Sequence, residues 1–480
     1  MSSNKIEEWD SCFRMIFGRH PLETEPDSSV RLRLPAVTEG RTEACSLDIF
    51  EAKFIRCFPW VYPVCPNSSL LKASLVEVAT QFPEMAGALV VSLAADGLER
   101  VFLDHTEPYV DFEESRDPLL KTADLALSSP SDYEAISAFL PRLCPTFVAA
   151  GFPFADGARM LKVRLTSLAD GGGLLVLRVH HAAADASSVF RFVSEWARLA
   201  RSKLDRQPVP LLRRQSPSDR HQAFLLRVDL SLPSPDPSQL RRLGWAIIED
   251  PPFRLMPTAR RLLRVTPEIA SCLKAYALGG ASGQRLASMV LSTNDVISAL
   301  LLLLAARSQP KNEDEDVGLT IVMNARARLG EKGEGCFGNS VVHPTVAVSR
   351  TELLALPFSE LCCRIREELS GWDRSRVAQS LTFAERRIRE HPLERSYQLG
   401  CPQASVFVTN WTKFDLRADF GSGPPSHYIP SSPPVVGFTI AYPDLADPSV
   451  SCWILNLDPA TSGLYDAMDL SNPSTYFFSP

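Results

Sequence analysis

Leu174-Leu175-Val176-Leu177-Arg178-Val179-His180-His181-Ala182-Ala183-Ala184-Asp185-Ala186 decides how this chain is read. The apolar run 174–179 predicts a buried strand. Beyond the motif, Val189, Phe192, Val193, Trp196, Leu199 and Ala200 share one helical face. Strand, short turn and amphipathic helix therefore follow one another, and the turn carries His181. A histidine held at a strand end has the chemistry of a general base. His180, one residue earlier, points to the opposite face of the strand and is read as structural. Asp185 stands immediately before the helix, where an aspartate is a good N-cap. Three alanines leave space beside the His181 ring.

Mixed elements continue on both sides. Leu71, Leu75, Val78, Ala79 and Phe82 predict a helix over 70–82, stopped by Pro83. Residues 89–93 and 99–103 read as strands. The stretch 205–255 is crowded with prolines, from Pro208 to Pro252, and reads as a connector. After it come a strand at 261–265 and a helix over 267–277, with Thr266 as N-cap and Pro267 at its first position. A strongly apolar helix at 294–307 and strands at 317–323 and 404–409 complete the pattern. The expectation is an α/β (α+β) protein of two lobes, with the N-terminal lobe at 1–205, the connector at 206–255 and the C-terminal lobe at 256–480.

Composition bounds the function. With 480 residues there is ample core for two lobes. A hydrophobic share of 45% and a charged share of 22% are ordinary for a globular protein. The net charge of −6 argues against a nucleic-acid partner. The 11 cysteines are scattered without zinc spacing and read as free thiols of a reducing compartment. Residues 1–10 are polar and acidic, unlike a secretory signal, and no apolar run is long enough for a bilayer. A cytoplasmic, monomeric protein without membrane or nucleic-acid partners, tightly bound cofactor or metal is expected.

Four blocks, taken in order, resemble one family. They are Leu70–Leu75 with Phe82-Pro83-Glu84-Met85-Ala86-Gly87-Ala88-Leu89; His181-Ala-Ala-Ala-Asp185; Asn324-Ala325-Arg326-Ala327-Arg328-Leu329 with Phe337-Gly338-Asn339; and Thr409-Asn410-Trp411 with Asp419-Phe420-Gly421-Ser422-Gly423. Their order and spacing resemble the BAHD superfamily of acyl-CoA-dependent acyltransferases, in its fungal-type branch. The resemblance implies two chloramphenicol-acetyltransferase-like lobes, each a mixed sheet flanked by helices, with a channel between them. Acyl-CoA (acetyl-CoA above all) enters from one side, and a small alcohol, often a secondary metabolite, from the other.

The same resemblance distributes roles. His181 takes the proton of the acceptor hydroxyl and no covalent acyl-enzyme forms. Asp185 points away from the reaction and pairs with Arg326. Thr409 and Trp411 line the acceptor site or hold an oxyanion. Asp419, Gly421 and Gly423 form a tight loop near the CoA side, with Ser422 where the family has Trp. Phe337-Gly338-Asn339 marks a strand end near the lobe interface. A basic CoA entrance is expected from Arg260, Arg261, Arg264 and Lys274, with hydroxyl contacts from Ser292 and Thr293. The alternatives are an amine acceptor, or a metabolite-binding or cyclising relic of the fold. A condensation domain carries a related motif, usually followed by Gly where this chain has Ala186.

Overall fold

The strand–turn–helix unit forms as its apolar pattern predicts: a strand at Gly173–His180 and a helix at Ala186–Asp205. In this computed structural model the described residues are 26–470, except 36–39, 53, 94–96, 128, 130–131, 137–146, 150–156, 208–209, 211–215, 248–257, 280–288, 309–315, 331–336, 392–396, 401–403 and 434. The first 25 residues and parts of the 206–255 connector thus lie outside them. The Asp185 side chain accepts from the Ser188 N–H at 3.0 Å, capping the helix. The helix buries Val189, Phe192, Val193, Trp196, Leu199 and Ala200. Each large side chain so buried stabilises the fold by roughly 1.5–3 kcal/mol. The Trp196 indole donates to the Leu71 carbonyl at 3.2 Å and the Ser74 hydroxyl at 3.0 Å, docking this helix on the helix Ser68–Gln81.

The first sheet runs Ser28–Arg33, Tyr109–Arg116, Leu161–Ser167, Gly173–His180, Phe54–Tyr62, His427–Tyr428. The histidine strand is central, antiparallel to both neighbours. With ladders on both sides and both faces covered, its residues are nearly all buried, which explains the continuous apolar run.

The second sheet runs Ala259–Val265, Ser451–Leu457, Phe438–Pro443, Ala404–Asn410, Asp316–Asn324, Val341–Val342. The strand 404–410 lies parallel to both neighbours, so this sheet too is mixed. The helix Thr293–Ser308 is buried without interruption from Asp295 to Ala306. It is enclosed by the sheet strands 316–324 and 404–410 and by helices 267–279, 350–355, 358–370 and 459–466. An apolar sequence all round is what such a position requires.

The two halves are stitched together. His427–Tyr428, from the C-terminal half, pairs with Val61 and Trp60 of the first sheet. The Trp60 indole donates to the Leu416 carbonyl at 3.0 Å and the Tyr62 hydroxyl to the Ala418 carbonyl at 2.8 Å. The fold is the expected α/β class with two principal mixed sheets. Seven described cysteines are free thiols. No helix among the described residues is long and apolar enough to cross a membrane.

Candidate active site

His181 follows the last residue of the central strand, and its backbone N–H donates to the Phe54 carbonyl at 2.8 Å. Its ring lies between two polar side chains. Nδ1 is 3.2 Å from Asn339 Oδ1, and Nε2 is 3.6 Å from Glu51 Oε2. The Asn339 amide is oriented by its own donors: Nδ2 donates to Asp48 Oδ1 at 2.9 Å and to the His181 carbonyl at 2.7 Å. Its Oδ1 is thereby turned to the ring, and as it can only accept, Nδ1 carries the proton. The neutral ring then has its lone pair on Nε2. Asp48 is itself anchored, accepting from the Cys45 N–H at 3.1 Å at the start of the helix Ser46–Glu51.

Asp185 does not touch the His181 ring. Its carboxylate pairs with Arg326 at 2.7 Å and accepts from the Ser340 N–H at 3.0 Å, besides capping its helix. Arg326 also donates to the Gly338 carbonyl at 2.7 Å and the Ser188 hydroxyl at 3.1 Å. Burial alone would raise the Asp185 carboxyl, but Arg326 and the backbone donors outweigh it and hold it below the usual carboxylate range. The network joins the helix after His181 to the segment that carries Asn339. It thus sets where Asn339 meets the ring.

His180 and His343, whose charges couple to His181, are buried and neutral. Burial drives His180 down to about 3, helped by the neighbouring His181. The His180 ring accepts from the Ala182 N–H at 3.3 Å. Burial also drives His343 down to about 4, with Glu51 opposing and His181 adding to the shift. In the unfolded chain histidine titrates near pH ~6.5. The stability gained by burying these rings neutral is complete above that pH. It falls as the pH drops below ~6.5 until the folded rings take protons. With two such groups the slope approaches about 2.7 kcal/mol per pH unit. Urea midpoints at pH 7, 6 and 5 should therefore decline steeply, and His343→Gln should flatten the slope by about half. A slope unchanged in that variant would refute the assignment.

Thr409 lies half-buried near the end of the strand 404–410, and Trp411 just beyond it. The Trp411 ring packs with Phe58, Phe190 and Tyr428, an aromatic cluster built from both halves of the chain. Asp419 Oδ1 accepts from the Gly421 N–H at 2.7 Å and the Gly423 N–H at 3.1 Å. Both glycines have left-handed φ, +97° and +98°, so this loop requires them. Ser292 caps the helix that Thr293 begins, and its hydroxyl accepts from Arg366 at 2.7 Å. Arg261 is engaged by Asp466 and Glu134, and Arg264 by Asp444. Arg260 and Lys274 are half-buried, on the strand 259–265 and the helix 267–279.

Sequence reasoning missed Glu51, Asp48 and His343, and treated Asn339 as a strand end. Two acidic residues inside the apolar stretch 44–52 were the available signal. All of them converge through tertiary packing.

The profile of the Transferase family matches residues 54–459. Agmatine hydroxycinnamoyltransferase 1 of Oryza sativa subsp. japonica is 24% identical over 407 residues, 82% of this chain and 84% of that protein. Anthranilate N-benzoyltransferase protein 2 of Dianthus caryophyllus is 23% identical over 285 residues, 56% of this chain and 58% of that protein. Among solved structures, F. graminearum TRI101 complexed with coenzyme A and T-2 mycotoxin superposes with a TM-score of 0.66 at 16% identity, covering 91% of this chain and 98% of that one. Vinorine synthase gives a TM-score of 0.60 at 16% identity, covering 92% and 96%. These two likenesses establish the two-lobed chloramphenicol-acetyltransferase-like fold. The match over 54–459, which takes in His181 and its Asp185–Arg326 support, means that the chain belongs to the Transferase family, the BAHD acyl-CoA-dependent acyltransferases.

Proposed function

We propose that this protein transfers an acyl group, acetyl in the simplest case, from acyl-CoA to a hydroxyl of a small secondary metabolite, with His181 as general base. The observation that carries the reading is the Asn339 contact to His181 Nδ1, which leaves the Nε2 lone pair as the base. The acceptor oxygen attacks the thioester carbonyl while Nε2 takes its proton. The C–S bond then breaks, and the imidazolium returns that proton to the departing CoA thiolate. One ester and one free thiol result, with no acyl group on the protein. Thr409 and Trp411 are assigned to the acceptor side or the oxyanion, the 419–423 loop, Ser292, Thr293, Arg260 and Lys274 to the CoA side.

A second reading, an amine acceptor, is favoured by the Glu51 carboxylate beside Nε2. TRI101 in complex with CoA and deoxynivalenol supports CoA plus a small-molecule acceptor as the substrate pair. The test is thiol release from a panel of acyl-CoAs and acceptors, with the product identified by mass. The expected result is acceptor-dependent thiol release, and an intact-protein mass unchanged after incubation with acetyl-CoA alone. A stable acetyl adduct on the protein would refute the direct-transfer mechanism.

A further inference from the structure

The side of the His181 ring that must meet the acceptor already faces another acceptor of hydrogen bonds. Nε2 carries a lone pair, because Nδ1 holds the proton against Asn339. The Glu51 carboxylate stands 3.6 Å from Nε2, too far and without a hydrogen to bond to it. Glu51 is the last residue of its short helix and is 7% exposed. Negative charge at a helix C-terminus and in a buried site is unfavourable. No hydrogen-bond donor among the described residues reaches this carboxylate. The charge partner nearby is Arg56, half-buried, whose guanidinium is pushed down to about 10 by desolvation with Glu51 opposing. The capping of the helix does not use this carboxylate. Two hydrogen-bond acceptors 3.6 Å apart are complementary to a ligand that brings the hydrogens.

We infer that Glu51 is an acceptor-binding residue, and that the site takes nucleophiles presenting two donor hydrogens at or beside the attacking atom: a primary amine, or a hydroxyl flanked by a second hydroxyl. The inference rests on the reading of His181 as base. In either case the new bond forms to the thioester carbonyl and the C–S bond breaks. A primary ammonium must lose two protons to become an amide. One passes through His181 to the CoA sulfur, and Glu51 takes the other and releases it to solvent. A vicinal diol loses one proton, by way of His181 to sulfur, while its second O–H donates to Glu51 and stays in place. A lone hydroxyl leaves the desolvated carboxylate without a donor, which costs selectivity against it.

The experiment follows thiol release from acetyl-CoA by the full-length chain with phenethylamine, vicinal cyclohexanediol and cyclohexanol, and with water alone, itself a two-donor nucleophile. It compares wild type with Glu51→Gln, Glu51→Leu and His181→Ala, using acetyl-CoA binding as the check on folding. The expected result is a drop of ~10- to 100-fold in kcat/KM for two-donor nucleophiles in both Glu51 variants, with acetyl-CoA affinity unchanged and any cyclohexanol turnover spared. A loss confined to phenethylamine identifies an ammonium, and one confined to the diol a flanking hydroxyl. Equal effects on all probes, no effect on any, or wild-type preference for cyclohexanol over the diol would overturn the role of Glu51. Thiol release unaltered in His181→Ala would instead overturn the base itself. Absence of wild-type release above that variant in every arm would overturn both.

Discussion

His181→Ala should lower kcat by ~10²–10⁴-fold, the range that a positioned general base contributes, while acetyl-CoA binds as before. The expectation follows from where the ring sits. The backbone of His181 is held by the central sheet, through the Phe54 carbonyl, and does not depend on the side chain. Asn339 keeps its Nδ2 bonds to Asp48 and to the His181 carbonyl when the ring is removed. The variant therefore loses the ring and leaves its hydrogen-bonded surroundings in place. The measurement is steady-state thiol release beside isothermal titration with acetyl-CoA. Full activity in a folded His181→Ala protein would eliminate the mechanism.

Arg326→Ala should destabilise the protein by about 3–5 kcal/mol, the usual cost of removing one partner from a buried ion pair. The Asp185 carboxylate is 3% exposed at the side chain and Arg326 11%, so water cannot replace the guanidinium. The same substitution removes donors to the Gly338 carbonyl and the Ser188 hydroxyl. Arg326→Lys should rescue little, because one ammonium cannot serve Asp185, Ser188 and Gly338 from the position of a planar fork. Asp185→Ala combined with Arg326→Ala should cost less than the sum of the single losses. Denaturant midpoints of the wild type, the three single variants and the double variant measure all of this. A fall below about 1 kcal/mol for Arg326→Ala would class the pair as an ordinary surface bridge. Activity should fall as well, because Asn339 sits between this network and the ring.

Much of the architecture was written in local pattern. The apolar run 174–179 and the helical face from Val189 to Ala200 produced the strand and helix around His181 at nearly the expected bounds. The helix predicted over 70–82 occupies Ser68–Gln81, beginning two residues earlier because Asn67 caps it. The strand predicted at 261–265 extends back to Ala259, since its ladder with Ser451–Leu457 continues there. Asp185 as a helix cap and as a partner of Arg326 was also legible, the cap from position alone and the partner from the resemblance. Position along the chain held no trace of the strand His427–Tyr428 joining the first sheet. Two residues are too short for a period-2 pattern to register.

The sequence by itself determined the strand–turn–helix that presents His181, the class of fold, and the family. Periodicity, capping and motif order are local or ordered along the chain, and these features need nothing more. Only the tertiary structure decided what surrounds the ring. Asn339 and Glu51 reach His181 from 158 positions later and 130 positions earlier in the chain. An asparagine that assigns the tautomer, and a carboxylate that faces the basic nitrogen, act over about 3–4 Å and in a set direction. Neither quantity exists until the sheets are assembled and the two halves are packed together.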